Sequence, residues 1–271
     1  MTGTSFLAQI HDHFLGITRR WTLPAIARPW FRGHEKGEWQ LIPSILRNGN
    51  QQHEFPLTKR FRLLAPGFGV DLPTDRLDQW LFVMQHNLAP TRLLDWTESL
   101  NTAILFACLD WIKQRDTKKC FDGAVFLLNP TLLNKHVLGD CDFPVTWAQN
   151  QVLQTIKFAF GTQEEVVAGP DGSPIKYLQP PVAIFPSTVH GRMRAQKACF
   201  TLHGADHRDL REIVHANGWV ATDILVELPI PGENKPQLAD ELAQAGITYS
   251  TIFPDLEGLA SDLKFQFRIV P

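Results

Sequence analysis

The residues best equipped for chemistry lie in three short runs. The first is Phe31-Arg32-Gly33-His34, with Leu41-Ile42-Pro43-Ser44 and Arg47 downstream. A guanidinium is a planar, permanently charged fork that matches phosphate or carboxylate oxygens two at a time. A glycine directly after it has no Cβ, so another group can come close to the backbone. Arg32 therefore reads two ways. It binds an anionic ligand, with Gly33 and His34 beside it, or it pairs internally with a carboxylate such as Asp95 or Asp255.

The second run is Gln85-His86, then Pro90-Thr91-Arg92-Leu93-Leu94-Asp95-Trp96-Thr97. Arg92 and Asp95 flank two leucines, and a buried Arg–Asp pair gains little once both ions have lost their water. The run is either a tightly specified scaffold, in which Arg92 and Asp95 satisfy one another, or a ligand cradle. A cradle would use Gln85, Thr91, Arg92, Asp95 and Trp96, next to a helix N-terminus that favours anions. His86 is a candidate acid or base, and its alternative is a hydrogen-bonded structural histidine. The third run is Arg192-Met193-Arg194-Ala195-Gln196, just before the apolar Ala198 to Thr201. Gln196 offers both a donor and an acceptor to a shared cleft; a lone glutamine at a strand edge is more often plain surface.

Other chemistries lack support. His203 and His207 are four apart, but Gly204 lies between them and no Glu follows His203, so the run reads as a polar turn and no metal set is expected. Dinucleotide (GxGxxG), P-loop and nucleophile-elbow patterns are absent. A net charge of −2 provides no bulk basic excess for nucleic acid. Cys108, Cys120, Cys141 and Cys199 have no CxxC spacing and read as reduced thiols. No run of 18 apolar residues and no signal-peptide pattern is found, so cytoplasm and no membrane contact are the expectations.

Elements must position the three runs. Phe6, Ile10, Phe14 and Ile17 mark one face of a helix. Arg28 to Arg32 reads as a short strand that turns at Gly33-His34, and Trp39 to Leu46 as irregular or a short helix. Helices are expected at Phe61–Ala65 and Leu77–Met84. Gln85 to Thr97 carries too many polar and breaker residues for a regular element. Leu100 to Trp111 has helical spacing, with Asp95 or Thr97 as its N-cap. Strands follow at Gly123–Leu128, Val182–Phe185, Cys199–Leu202 and Ile224–Leu228. A helix is expected near Asn150–Phe158, a surface turn at Gly169–Pro174, a helix over Pro236–Ala245 ended by Gly246, and a last one from Asp255 to Leu263. With 44% apolar and 20% charged residues the chain is of ordinary globular composition. The order of elements predicts an α+β fold: a single domain with N-terminal helices and a central mixed or antiparallel sheet.

Together the motifs resemble the FRG domain, named for its Phe/Tyr-Arg-Gly run. They are Phe-Arg-Gly-His, Gln-His with Pro-Thr-Arg-Leu-Leu-Asp-Trp-Thr, the Ala103–Ala107 helix, Ala-Gln-x-x-x-Phe-Thr and Ile252 to Leu259. The resemblance spans Trp30 to Leu263 and divides the chain into an N-terminal helical segment, 1–29, and an FRG-like domain, 30–271. A fainter likeness is to ADP-ribosyltransferases, where an arginine on the first strand holds a dinucleotide, a Ser/Thr segment packs behind it, and a late glutamate contacts the nicotinamide ribose. Arg32, Thr91 or Thr97, and Gln196 take those places here. Gln196 is not Glu and cannot supply the negative charge that stabilises an oxocarbenium-like transition state. The likeness therefore implies nucleotide binding, with NAD as a ligand, more than transfer. Two functions follow from the resemblances: a nucleotide-directed enzyme or former enzyme with an ADP-ribosyltransferase-like cleft, or a non-enzymatic binding or effector module of a bacterial defence or toxin-type system. Convergence of Arg32, Arg92 and Gln196 on an open cleft favours the first; burial against Asp95 and Trp96 favours the second.

Overall fold

The structure, a computed structural model, describes residues 5–21, 23–24, 27–114, 120–139, 150–161, 178–186, 191–267 and 269. Its strands are β1 Trp30–His34, β2 Leu93–Thr97, β3 Gly123–Leu128, β4 Val182–Ile184, β5 Ala198–Leu202 and β6 Leu225–Ile230. The helices are α1 Phe6–Thr18, α2 Glu54–Leu64, α3 Leu77–His86, α4 Leu100–Ala107, α5 Leu109–Gln114, α6 Pro130–Leu138 and α7 Asn150–Ala159. They continue with α8 Gly191–Ala195, α9 Leu210–Ala216, α10 Ala221–Ile224, α11 Lys235–Gln244, α12 Tyr249–Ile252 and α13 Leu256–Gln266. The strands form one antiparallel sheet in the order β4-β5-β2-β1-β3-β6. The fold is α+β and a single domain, as the order of elements predicts. No helix of the described residues is long and apolar enough to cross a membrane.

Strand alternation sorts the core into two layers. On one face, Phe31, Val125 and Leu127 pack with Ile10, Phe14 and Ile17 of α1 and Ala103, Ile104 and Ala107 of α4. Farther along the same face, Leu93, Phe200 and Leu202 pack with Trp80, Leu81 and Met84 of α3 and Val152 and Ile156 of α7. The opposite face, with Trp30, Leu94, Trp96 and Phe126, packs on Leu133 of α6 and on Leu210 and Val214 of α9. The two clusters of the first face meet over the seam between β1 and β2. That seam is weakly zipped: only Phe31 opposite Thr97 is in register, whereas β1 pairs with β3 from Trp30 to His34 and β2 with β5 from Leu93 to Thr97.

Gly33 explains how closely α4 sits on the sheet. A Cβ built there would lie 1.8 Å from the Ala103 carbonyl oxygen and 2.8 Å from the Ala107 amide nitrogen. The glycine and the Ala-x-x-x-Ala spacing are thus two halves of one contact, backbone on backbone. The expectation that Gly33 opens the backbone to a ligand is corrected to this packing role.

Several expectations shift. β1 continues through Gly33 and His34, because β3 pairs with it there. Leu93–Thr97 is a strand at the middle of the sheet, not an irregular segment; the breakers Asn87 and Pro90 all precede it, and its single charge, Asp95, faces a cleft instead of the core. The helix from Leu100 breaks at Cys108, whose amide is shared among the carbonyls of the preceding turn. Its N-cap is Ser99, whose Oγ accepts from the Thr102 amide, since Asp95 and Thr97 are in strand. Thr97 Oγ1 instead accepts from the Ser99 amide. α2 begins at Glu54, well before Phe61, and Ile224 closes α10 before β6 begins. Gly246 does adopt positive φ after α11, and Asp255 caps α13. Cys108 is buried, and burial pushes its thiol well above the usual range. The turn at Gly169–Pro174 and Cys141 lie outside the described residues.

Candidate functional site

The first face of the sheet is left open where α3 and α4 part above the β1–β2 seam. The cleft holds about 260 Å³ and is walled by apolar and aromatic side chains, among them Phe31, Phe106, Met193 and Phe200, with Arg32, Gln85, His86, Asp95, Arg192 and Gln196 as its polar members. On this face Asp95 stands where alternation would otherwise place a core residue, and its carboxylate is left facing the cleft.

Arg32 sits at the seam. Its Nε donates to His34 Nε2 at 2.7 Å, and its Nη1 donates to the Asp95 main-chain carbonyl at 2.5 Å, bridging strands that no longer pair directly. The Asp95 carboxylate approaches the same Nη1 only to 3.9 Å. What holds that carboxylate is Gln85: its amide nitrogen donates to both oxygens, at 2.9 and 3.0 Å. The Thr91 hydroxyl donates to Gln85 Oε1 and so fixes which way the amide faces. Thr91, Gln85, Asp95, Arg32 and His34 thus form one oriented chain. The Asp95 side chain remains 58% exposed and that of Arg32 18%. Burial, opposed by Asp95 and aided by Arg47, lowers the Arg32 guanidinium to about 10. Gln196 lines the cleft while its Nε2 donates to the Ile252 carbonyl, tying α8 to α12. Arg192 lies 4.3 Å above the Phe253 ring.

Residues 27–116 match the family model of the FRG domain. These residues carry the FRG domain. No curated protein and no solved structure matches the chain. The FRG match takes in Arg32, Gln85, His86 and Asp95 and stops short of Arg192 and Gln196, which the fold brings to the same cleft.

Of the residues singled out in the sequence, the cleft gathers Arg32, Gly33, Gln85, His86, Asp95, Trp96 and Gln196. His34 and Thr91 are buried behind it and orient Arg32 and Gln85. Arg92 is elsewhere. It does not pair with Asp95; its Nε reaches both oxygens of Glu54, at 2.7 and 2.8 Å, and its Nη1 donates to the Gly204 carbonyl at 2.5 Å. Strand geometry dictates the separation, since Arg92 precedes β2 and Asp95 lies within it on the cleft side. Glu54, 38 residues away in sequence, carried no signal as its partner. Arg192 was visible only as a member of the run that leads to Gln196. His203 is buried and bonds to Thr201, which accepts from Trp96 Nε1; it is not part of a polar turn, and among the described residues no cluster could hold a metal.

Two buried histidines, His34 and His203, are expected to make the protein acid-sensitive. Burial, with Arg32, Arg47 and Arg211 nearby, lowers His34 to about 2. Burial and Arg92 lower His203 to about 3. Both folded values lie below the ordinary value of 6.5. Each ring therefore contributes stability that is fully present above pH 6.5 and is lost as the pH falls towards the folded value. The expected slope is about 1.4 kcal/mol per pH unit for each ring. Denaturant unfolding between pH 6.5 and 5 should show this loss, roughly halved in His203→Gln; a flat profile over that window would refute it.

Proposed function

We propose that the cleft of this FRG domain binds a ribonucleotide, with a dinucleotide of the NAD type as the leading candidate. The observation that carries the reading is the way Arg32 and Asp95 are held. Opposite charges meant to neutralise one another would close to contact; these stand 3.9 Å apart across the β1–β2 seam, each oriented by other groups, and both residues border the cleft. A guanidinium suits phosphate oxygens. An acceptor-only carboxylate suits the hydroxyls of a ribose. The aromatic wall from Phe106 to Phe200 suits a base. Arg192 adds a second cation at the same cleft.

The function proposed is recognition. A ligand-sensing effector of a bacterial defence system, the setting implied by the family resemblance, needs such a cleft and no catalysis. A catalytic reading would rest on His86 and Gln196, and the Gln196 amide nitrogen is engaged by Ile252. Calorimetry with NAD, ADP-ribose and AMP tests the proposal. Wild-type protein should bind at least one of them. Arg32→Lys, which keeps the charge and loses the fork, should weaken binding about tenfold or more. Asp95→Asn should weaken ribose-bearing ligands and leave pyrophosphate unchanged. Because the Asp95 side chain is largely exposed, its substitution should cost the fold no more than about 0.5 kcal/mol. Failure of all three ligands to bind would sink the proposal.

A further inference from the structure

The end of α3 departs from a pattern that three other helical ends of the described residues share. Four helical segments end in the same pair of backbone bonds, in which two successive amides reach back to the last turn. After α9 they are Gly218 to His215 and Trp219 to Val214; after α11, Gly246 to Ala243 and Ile247 to Leu242. After the short turn 65–68 they are Gly69 to Pro66 and Val70 to Ala65. After α3 they are Leu88 to Gln85 and Ala89 to Met84. This closure puts its first amide residue in the left-handed region, where a Cβ is strained and glycine is favoured. Gly69, Gly218 and Gly246 meet it with φ of 80°, 68° and 77°; at α3 the residue is Leu88, with φ of 61°.

Nothing in the fold repays that strain, because the Leu88 side chain is not used for packing: the residue is 80% exposed. It does line the cleft, one turn beyond Gln85 and His86. Another strained non-glycine, Lys197 at φ 47°, sits between the cleft residues Gln196 and Ala198. A third, Asn48 at φ 53°, does not line the cleft; strain at an exposed rim leucine that the fold does not pack is a mark of function.

We infer that Leu88 is a binding residue of the cleft, an apolar contact for the base of the nucleotide, held at the rim by the closure of α3. The inference rests on the nucleotide reading of the cleft and adds to it the residue that selects for a base over a bare phosphate. It predicts opposite signs for stability and binding. Leu88→Gly should raise the melting temperature by about 2 °C, because glycine relieves the strain. It should also weaken AMP and ADP-ribose about tenfold, the worth of one lost apolar contact, and leave inorganic pyrophosphate unaffected. Leu88→Ala, which retains the strain and loses the contact, should weaken the same two ligands at unchanged melting temperature, and this separates a lost contact from a loosened helix end. If wild-type protein binds AMP or ADP-ribose and both variants bind them equally well, the inference on Leu88 is overturned while the nucleotide reading stands. A lower melting temperature in Leu88→Gly also overturns it, by showing that the fold uses the leucine. If wild-type protein binds none of NAD, ADP-ribose and AMP, both readings fall.

Discussion

Gly33→Ala is expected to destabilise the protein by about 4 kcal/mol or more, a large share of a typical domain's stability. The added methyl would lie 1.8 Å from the Ala103 carbonyl oxygen, well inside the 3.0 Å that real contacts respect. The obstacle is backbone on both sides, so no side chain can swing away. α4 would have to lift off the sheet, separating Ala103, Ile104 and Ala107 from Phe31 and Val125, all buried in one cluster. Gly16 is the control. It lies within α1 with nothing near its missing Cβ, so Gly16→Ala should stabilise by roughly 0.5–1 kcal/mol through helix propensity. Chemical denaturation of the two variants should move in opposite directions. A Gly33→Ala protein as stable as wild type would show that α4 does not sit where the structure places it.

Glu54→Ala should cost about 3–5 kcal/mol, because it strands the Arg92 guanidinium in the interior. The Arg92 and Glu54 side chains are 3% and 7% exposed, and the Arg92 Nε–H is shared between both carboxylate oxygens. Burial raises the Glu54 carboxyl above its usual range even with Arg92 beside it, which marks how dry the site is. The cost belongs to the stranded ion more than to the lost attraction. Glu54→Leu combined with Arg92→Met should therefore recover most of the stability lost by either change alone. Additive losses in that cycle would argue against a buried pair. Ligand binding should be nearly unchanged in the double variant, since Arg92 lies outside the cleft.

The sequence legible by itself was the part written in local periodicity. Apolar spacing along α1, α3, α4 and α11 follows the helical repeat, and Gly246 and Asp255 sit at helix ends where backbone geometry asks for them. The Phe-Arg-Gly run and the Gln85-to-Thr97 run could be picked out as chemistry, and most of their residues do meet in one cleft. Three things were settled only by the tertiary structure. β2 is a strand because β5 pairs its whole length, which its own composition does not announce. Arg92 and Asp95, three apart, go to different places because one precedes the strand and the other lies in it; their partners, Glu54 and Gln85, come from helices chosen by packing. Gly33, whose type suggested room for a ligand, is instead filled by α4. Periodicity and chain reversal are properties of neighbouring residues and can be read along the chain. Which charge meets which, and what fills the space beside a glycine, depends on segments brought together from far apart, and only the packed core decides it.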